Sequence, residues 1–115
     1  MFKLLIIIKI IKMEKLRNIS PGEILKEEFL IPLKISQYRL SKDLSIPQTR
    51  ISEIIKGNRR ITADTALRLS AYFGNSAKFW LGIQDDYDIE NELNTKLVEV
   101  SRINRIRRDK EIVSL

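Results

Sequence analysis

Between Pro47 and Lys56 the side chains divide by type. On a helical wheel at about 100° per residue, Ile51, Ile54 and Ile55 fall within an arc of about 100°. Thr49, Ser52, Glu53 and Lys56 stand opposite, with Gln48 and Arg50 at the flanks. One side is wholly aliphatic and the other is built of short and medium hydrogen-bonding groups. Gln, Ser, Thr, Lys and Arg are the types that address base edges, and the major groove admits a helix. Glu53 would repel phosphate, yet it can accept from cytosine N4. Arg59 and Arg60 follow at once, where phosphates would pass; such contacts position a protein while base contacts specify the sequence. A solvated surface helix has the same polar side, and exposed arginines need no partner. The neighbouring elements have to decide.

Those elements read as successive helices. Ser20-Pro21-Gly22-Glu23 has the form of a capping box, with Ser20 as N-cap, Pro21 at the first helical position and Glu23 at the third. The first helix is expected from Pro21 to about Leu30, burying Ile24, Leu25 and Phe29 and stopped by Pro32. Ser36 caps a second helix over Gln37–Leu44, with Ile35 and Leu40 spaced as a hydrophobic staple. Ser45-Ile46-Pro47 is a short turn into the third helix, which Gly57-Asn58 closes. Thr62 opens a fourth helix with Asp64 in its first turn and Ala66, Leu69, Ser70 and Phe73 at core-facing spacing, up to Gly74. Ser76 caps a fifth region. Phe79, Trp80 and Ile83 pack its first half, and Ile89, Leu93, Leu97 and Val100 form a stripe in its second. A break is expected near Asp85–Asp88 and fraying after about Arg105. The class is all-α, and two short helices joined by a tight turn, the second polar outward, form a helix-turn-helix.

Composition narrows the chemistry. The 115 residues allow one domain with a modest core, and 43% hydrophobic with 31% charged residues fits a soluble globular chain. With no cysteine and no histidine, disulfides, thiolate metal sites, His-ligated zinc and a His-based triad are excluded. The net charge of +6 makes an anionic partner plausible. Residues 1–18 carry +4 and residues 96–115 carry +3, so the excess lies in the tails. Within the middle, residues 36–68 hold seven basic and three acidic groups, whereas residues 79–95 hold five acidic groups and no basic one. That split suggests two faces with different partners. The opening MFKLLIIIKIIK is too short to span a bilayer, which takes roughly 20 residues, and no small-residue cleavage site follows. Met13 is an alternative start. The organisation is then an extension over 1–18, a DNA-binding unit over 19–75, a helical region for packing or dimerisation over 76–105, and a basic tail over 106–115.

The segment FWLGIQDDYD supports two readings. Phe79, Trp80 and Ile83 can be core. Trp80 and Tyr87 can instead anchor an interface, with Asp85, Asp86 and Asp88 attracting a basic partner. As an enzyme, the chain would have to use Asp85, Asp86, Asp88 and Glu90 as oxygen ligands to a divalent metal; carboxylates along one helix without a shaped pocket argue for no catalytic residue, no metal and no cofactor.

The run LSKDLSIPQTRISEIIKGNRRITADTALRLSAYFG resembles the helix-turn-helix of the XRE class, which includes the lambda-type phage repressors. PGEILKEEFLIPLKISQYRLSKDL followed by TADTALRLSAYFGNSAKFWLGIQDDYDIE resembles the HigA antitoxins, also called virulence-associated protein I, over about Ile19–Glu92. The resemblance implies a five-helix lambda-repressor-like domain with a C-terminal helical extension. It implies a cytoplasmic, dimeric DNA-binding antitoxin that represses its own operon at an inverted repeat and neutralises a HigB-type mRNA-cleaving toxin. A stand-alone repressor is the alternative. By motif position, Gln48, Thr49 and Glu53 approach bases, Gln37 binds phosphate, and Arg50 and Arg59 make backbone or mixed contacts, with Ser52, Lys56 and Arg60 alongside. One departure is Ser45, where the class usually has glycine; a positive φ there would strain the turn.

Overall fold

The computed structural model describes Ile6 and residues 17–107. Apart from Ile6, the apolar opening with its alternative start lies outside the described residues, as does the tail beyond residue 107. Among the described residues there are five helices, and none is long and apolar enough to cross a membrane.

Helix α1 begins at Pro21, where Ser20 Oγ accepts the Glu23 N–H at 3.2 Å. Only this half of the capping box forms. The Glu23 carboxylate turns to Arg17 instead, in two hydrogen bonds of 2.7 Å, because a guanidinium offers a paired, charged donor. Pro32 does not stop α1. After Pro21–Ile24 the helix widens into a π-helical stretch, Leu25–Leu30, and then closes with Ile31–Leu33. In a regular α-helix the proline ring meets the carbonyl four residues back. Here the register is already i→i−5, as the Ile31 N–H bonded to the Lys26 carbonyl shows, and the wider turn accepts the ring. The stop is at Lys34, which is left-handed with φ 56°. Ile35 N–H returns to the Leu30 carbonyl at 2.9 Å and Lys34 N–H to that of Ile31 at 3.1 Å, a Schellman closure.

Helix α2, Gln37–Leu44, is capped by Ser36 as the sequence suggests, with the Arg39 N–H 3.0 Å from Oγ. Helix α3 is Gln48–Ile55, α4 is Ala63–Phe73 and α5 is Ala77–Ser101. Ser76 caps α5 through the Phe79 N–H at 3.0 Å. Gly57 and Gly74, with φ 82° and 78°, end α3 and α4 where a side chain would be strained. Helix α5 neither breaks at Asp85–Asp88 nor reaches Arg105. Asp88, within the segment expected to break, takes hydrogen bonds from Arg60 and Gln84 that hold it on the helix. The departure from helical geometry is at Lys96 (φ −120°, ψ 15°), and the helix ends at Ser101.

One core binds the helices. Leu25 and Leu30 of α1, Leu40 and Leu44 of α2, Ile51 and Ile54 of α3, and Ala66 and Leu69 of α4 meet Trp80 of α5. Burying an aliphatic side chain of this size stabilises by about 1.5–3 kcal/mol. Phe29 lies 4.8 Å from the Trp80 ring and 4.9 Å from that of Phe73. On α4 Thr65 is fully buried beside Ala66 and Leu69, while Ser70 and Phe73 are half-buried.

Candidate nucleic-acid interface

The turn between α2 and α3 is tight because Ser45 adopts φ 56°, ψ 46°. Ile46 N–H then reaches the Ser41 carbonyl at 3.1 Å and Ser45 N–H that of Lys42 at 3.2 Å, a second Schellman closure. The serine that departs from the class does carry the left-handed conformation. Ile46 is buried beneath the turn, and Pro47 stands as N-cap of α3.

From there α3 has two unlike sides. Ile51 and Ile54 are fully buried and Ile55 is half-buried against the same core. Gln48, Thr49 and Lys56 are exposed, and Ser52 and Glu53 are half-exposed. Gln37 is half-buried at the first turn of α2. The polar residues singled out on α3 therefore share one outward side.

Three arginines around this surface are placed by partners. Arg50 Nη1 donates to Asp64 Oδ2 at 2.9 Å. Asp64 also receives Arg68 Nε at 3.2 Å, while Arg68 Nη1 donates to the Leu44 carbonyl at 2.8 Å. The pair Asp64 and Arg68 so ties α3 to the end of α2, with Asp64 held below the usual carboxylate range chiefly by its hydrogen bond from Arg68, then by Arg50. Arg59 Nη2 donates to Glu53 Oε1 at 3.2 Å, and so stays beside α3. Arg60 does not accompany it. Its guanidinium turns to α5, with Nη2 2.8 Å from Asp88 Oδ2 and 3.7 Å from Asp85 Oδ1. Its location one residue after Arg59 suggested a shared role; their carboxylate partners, Glu53 on α3 for Arg59 and Asp88 on α5 for Arg60, separate them.

The candidate interface on α5 is also divided. Trp80 is 0% exposed, its Nε1–H bonded to Asn75 Oδ1 at 2.8 Å, so it is core and no anchor for a partner. A large ring packed between Phe29 and Phe73 removes more apolar surface from water than it could at a rim. Tyr87 is half-buried and its carbonyl accepts from Asn18 Nδ2 at 2.7 Å. Asp86 is exposed, while Asp85 and Asp88 face Arg60. Further along α5, Ile89, Leu93, Leu97 and Val100 are all exposed, Leu97 by 61%. Among the described residues no group of three or more acidic side chains converges as it would around a metal ion.

Three placements escaped the sequence. Arg68 sits four residues after Asp64, a visible helical pair, but its bond to Leu44 spans 24 residues. Gln84 is 4% exposed and bonds both Ile61 and Asp88. Gly22 lies so close to α3 that a Cβ there would meet the Ile54 carbonyl oxygen at 1.9 Å.

The family described as Helix-turn-helix matches residues 25–80. Virulence-associated protein I of Dichelobacter nodosus is 51% identical over 72 residues, 63% of this chain and 67% of that protein. Among solved structures, the Pseudomonas aeruginosa antitoxin HigA with higBA promoter superposes with a TM-score of 0.75 at 34% identity, covering 79% of this chain and 100% of that one. A HigA-family addiction module antidote protein from Coxiella burnetii has a TM-score of 0.74 at 44% identity, covering 78% and 99%.

Proposed function

Because this chain belongs to the helix-turn-helix family of the HigA antitoxins and virulence-associated protein I, we propose that it is a DNA-binding antitoxin that represses its own operon. The observation that carries the reading is the hydrophilic side of α3, left open while Ile51 and Ile54 hold the opposite side in the core. Gln48, Thr49 and Glu53 address base edges, with Ser52 and Lys56 beside them. Gln37, Arg50 and Arg59 contact the phosphate backbone and set the register. The work is binding and not catalysis, and it is done in the cytoplasm.

The stripe Ile89, Leu93, Leu97 and Val100 pairs two copies, since contiguous exposed apolar surface marks an interaction site. A two-fold dimer presents its two α3 helices about 34–36 Å apart to successive major grooves of an inverted repeat. The acidic α5 residues, Asp86 among them, attract a basic HigB-type toxin and speed its association.

The test is titration of a duplex carrying the sequence upstream of the chain's own gene, beside a scrambled duplex at the same salt. Preference for the upstream sequence supports the reading, and equal affinity for both overturns it. Co-expression with the adjacent reading frame tests the toxin partner; a chain that purifies alone yet keeps its preference is a stand-alone repressor.

A further inference from the structure

The loop that follows α3 is held from behind by one relay. The Ile61 N–H donates to Gln84 Oε1 at 2.8 Å. Gln84 Nε2 donates to Asp88 Oδ1 at 3.0 Å. Asp88 Oδ2 accepts from Arg60 Nε at 3.0 Å and Nη2 at 2.8 Å. The amide of Gln84 is buried, with 4% of the residue exposed, and Ile61 beside it is fully buried. A primary amide suits the position: its oxygen serves a backbone donor while its nitrogen serves a carboxylate. Both ends of the loop are thereby fixed, Gly57 by the closure of α3 and Ile61 by α5, and Arg59 projects between them toward Glu53.

We infer that Gln84 and Asp88 are positioning residues for DNA binding, and that Arg60 is their strut and not a phosphate contact. The inference rests on the DNA-binding reading above. Neither Gln84 nor Asp88 touches the nucleic acid. They act through the loop, keeping Arg59 and the last turn of α3 in one arrangement, so the loop does not have to be ordered when the duplex arrives.

Simple electrostatics makes the opposite forecast for one variant, which makes the test sharp. Asp88→Ala removes a negative charge and frees a guanidinium beside a polyanion site. As a pure charge effect it tightens binding and steepens the salt dependence. As a positioning effect it weakens binding although the net charge has risen. The probe is the upstream duplex, titrated across a salt series with the parent and with Asp88→Ala, Gln84→Met and Arg60→Ala. The temperature is one at which circular dichroism shows every variant folded, so a residue that only stabilises the fold leaves affinity unmoved.

Gln84→Met is expected to bind about tenfold more weakly, the scale on which a lost buried hydrogen bond acts, and the surface variants Asp88→Ala and Arg60→Ala more weakly than the parent by about two- to fivefold. Their salt slopes stay at the parent value, and Gln84→Met with Asp88→Ala binds no more weakly than Gln84→Met alone. Parent-like or tighter binding by Asp88→Ala overturns the inference. So does a slope reduced by about one in Arg60→Ala, the signature of a lost phosphate contact. If Gln84→Met does not fold, the two surface variants at Asp88 and Arg60 decide alone. A parent that does not prefer its upstream duplex defeats the DNA-binding reading and this role with it; a parent that does, beside variants that match it, defeats this role alone.

Discussion

The carbonyl oxygen of Ile54 lies 1.9 Å from where a Cβ on residue 22 would be, so α1 rests backbone to backbone on the end of α3. Gly22 is the reason that approach exists. The Ile54 carbonyl also accepts the Gly57 N–H at 3.0 Å, so the same atom closes α3.

Gly22→Ala is therefore expected to destabilise by more than about 3 kcal/mol, because two backbones and no flexible side chain must part. Gly82, in the interior of α5 with nothing near its absent Cβ, is the control, and Gly82→Ala should stabilise by about 1 kcal/mol. Urea midpoints of the two variants check the contrast. Equal midpoints would show that α1 does not press on α3.

Gln48→Ala and Arg59→Ala should separate specificity from attachment. The first is expected to cost about 1–3 kcal/mol on the upstream duplex and to relax its sequence preference. The second should weaken all duplexes alike and lower the salt slope by about one. Equal losses on specific and scrambled DNA for both would sink the division. Ile54→Ala, in contrast, acts on the fold, at about 2–5 kcal/mol.

Ser45 holds a left-handed backbone that glycine adopts without strain. Ser45→Gly is expected to stabilise by about 0.5–1 kcal/mol, relief of left-handed strain being partly offset by the freer unfolded chain. Differential scanning calorimetry reads this as a raised midpoint, and a lowered one counts against strain in the turn.

Asp64 links stability to acid. Its folded pKa is depressed, first by the Arg68 hydrogen bond and then by Arg50. The stabilisation is thus complete above the ordinary carboxylate value, about 4, and disappears as pH falls through the lower folded value. Glu23, depressed by Arg17, adds a loss of the same sign. Thermal midpoints between neutral pH and pH 2 should decline less steeply for Asp64→Asn than for the parent. Parallel curves would remove Asp64 from the acid limb.

Leu93→Lys places a charge in the middle of the α5 stripe. Sedimentation velocity is expected to show a dimer for the parent and a monomer for this variant. A monomeric parent at micromolar concentration leaves the stripe without the role given to it here.

What the residues alone determined is what depends on neighbours three or four positions away. Ser20, Ser36 and Ser76 announce helix starts because their hydroxyls accept N–H groups three residues on. Gly57 and Gly74 announce ends because only glycine takes their backbone freely. The spacing of Ile51 and Ile54 set the buried side of α3, and with it the open one. Tertiary structure alone decided which group each long side chain meets. Pro32 stays inside α1 because the preceding turns are wide, Trp80 goes to the core because Phe29 of α1 and Phe73 of α4 pack against its ring, and α5 continues through its acidic run because Arg60 and Gln84 reach Asp88. Gly22 against Ile54 and Arg68 on Leu44 belong to the same class. Periodicity and capping are written in local hydrogen bonds. A partner distant in the chain is chosen only when packing brings both groups out of water together.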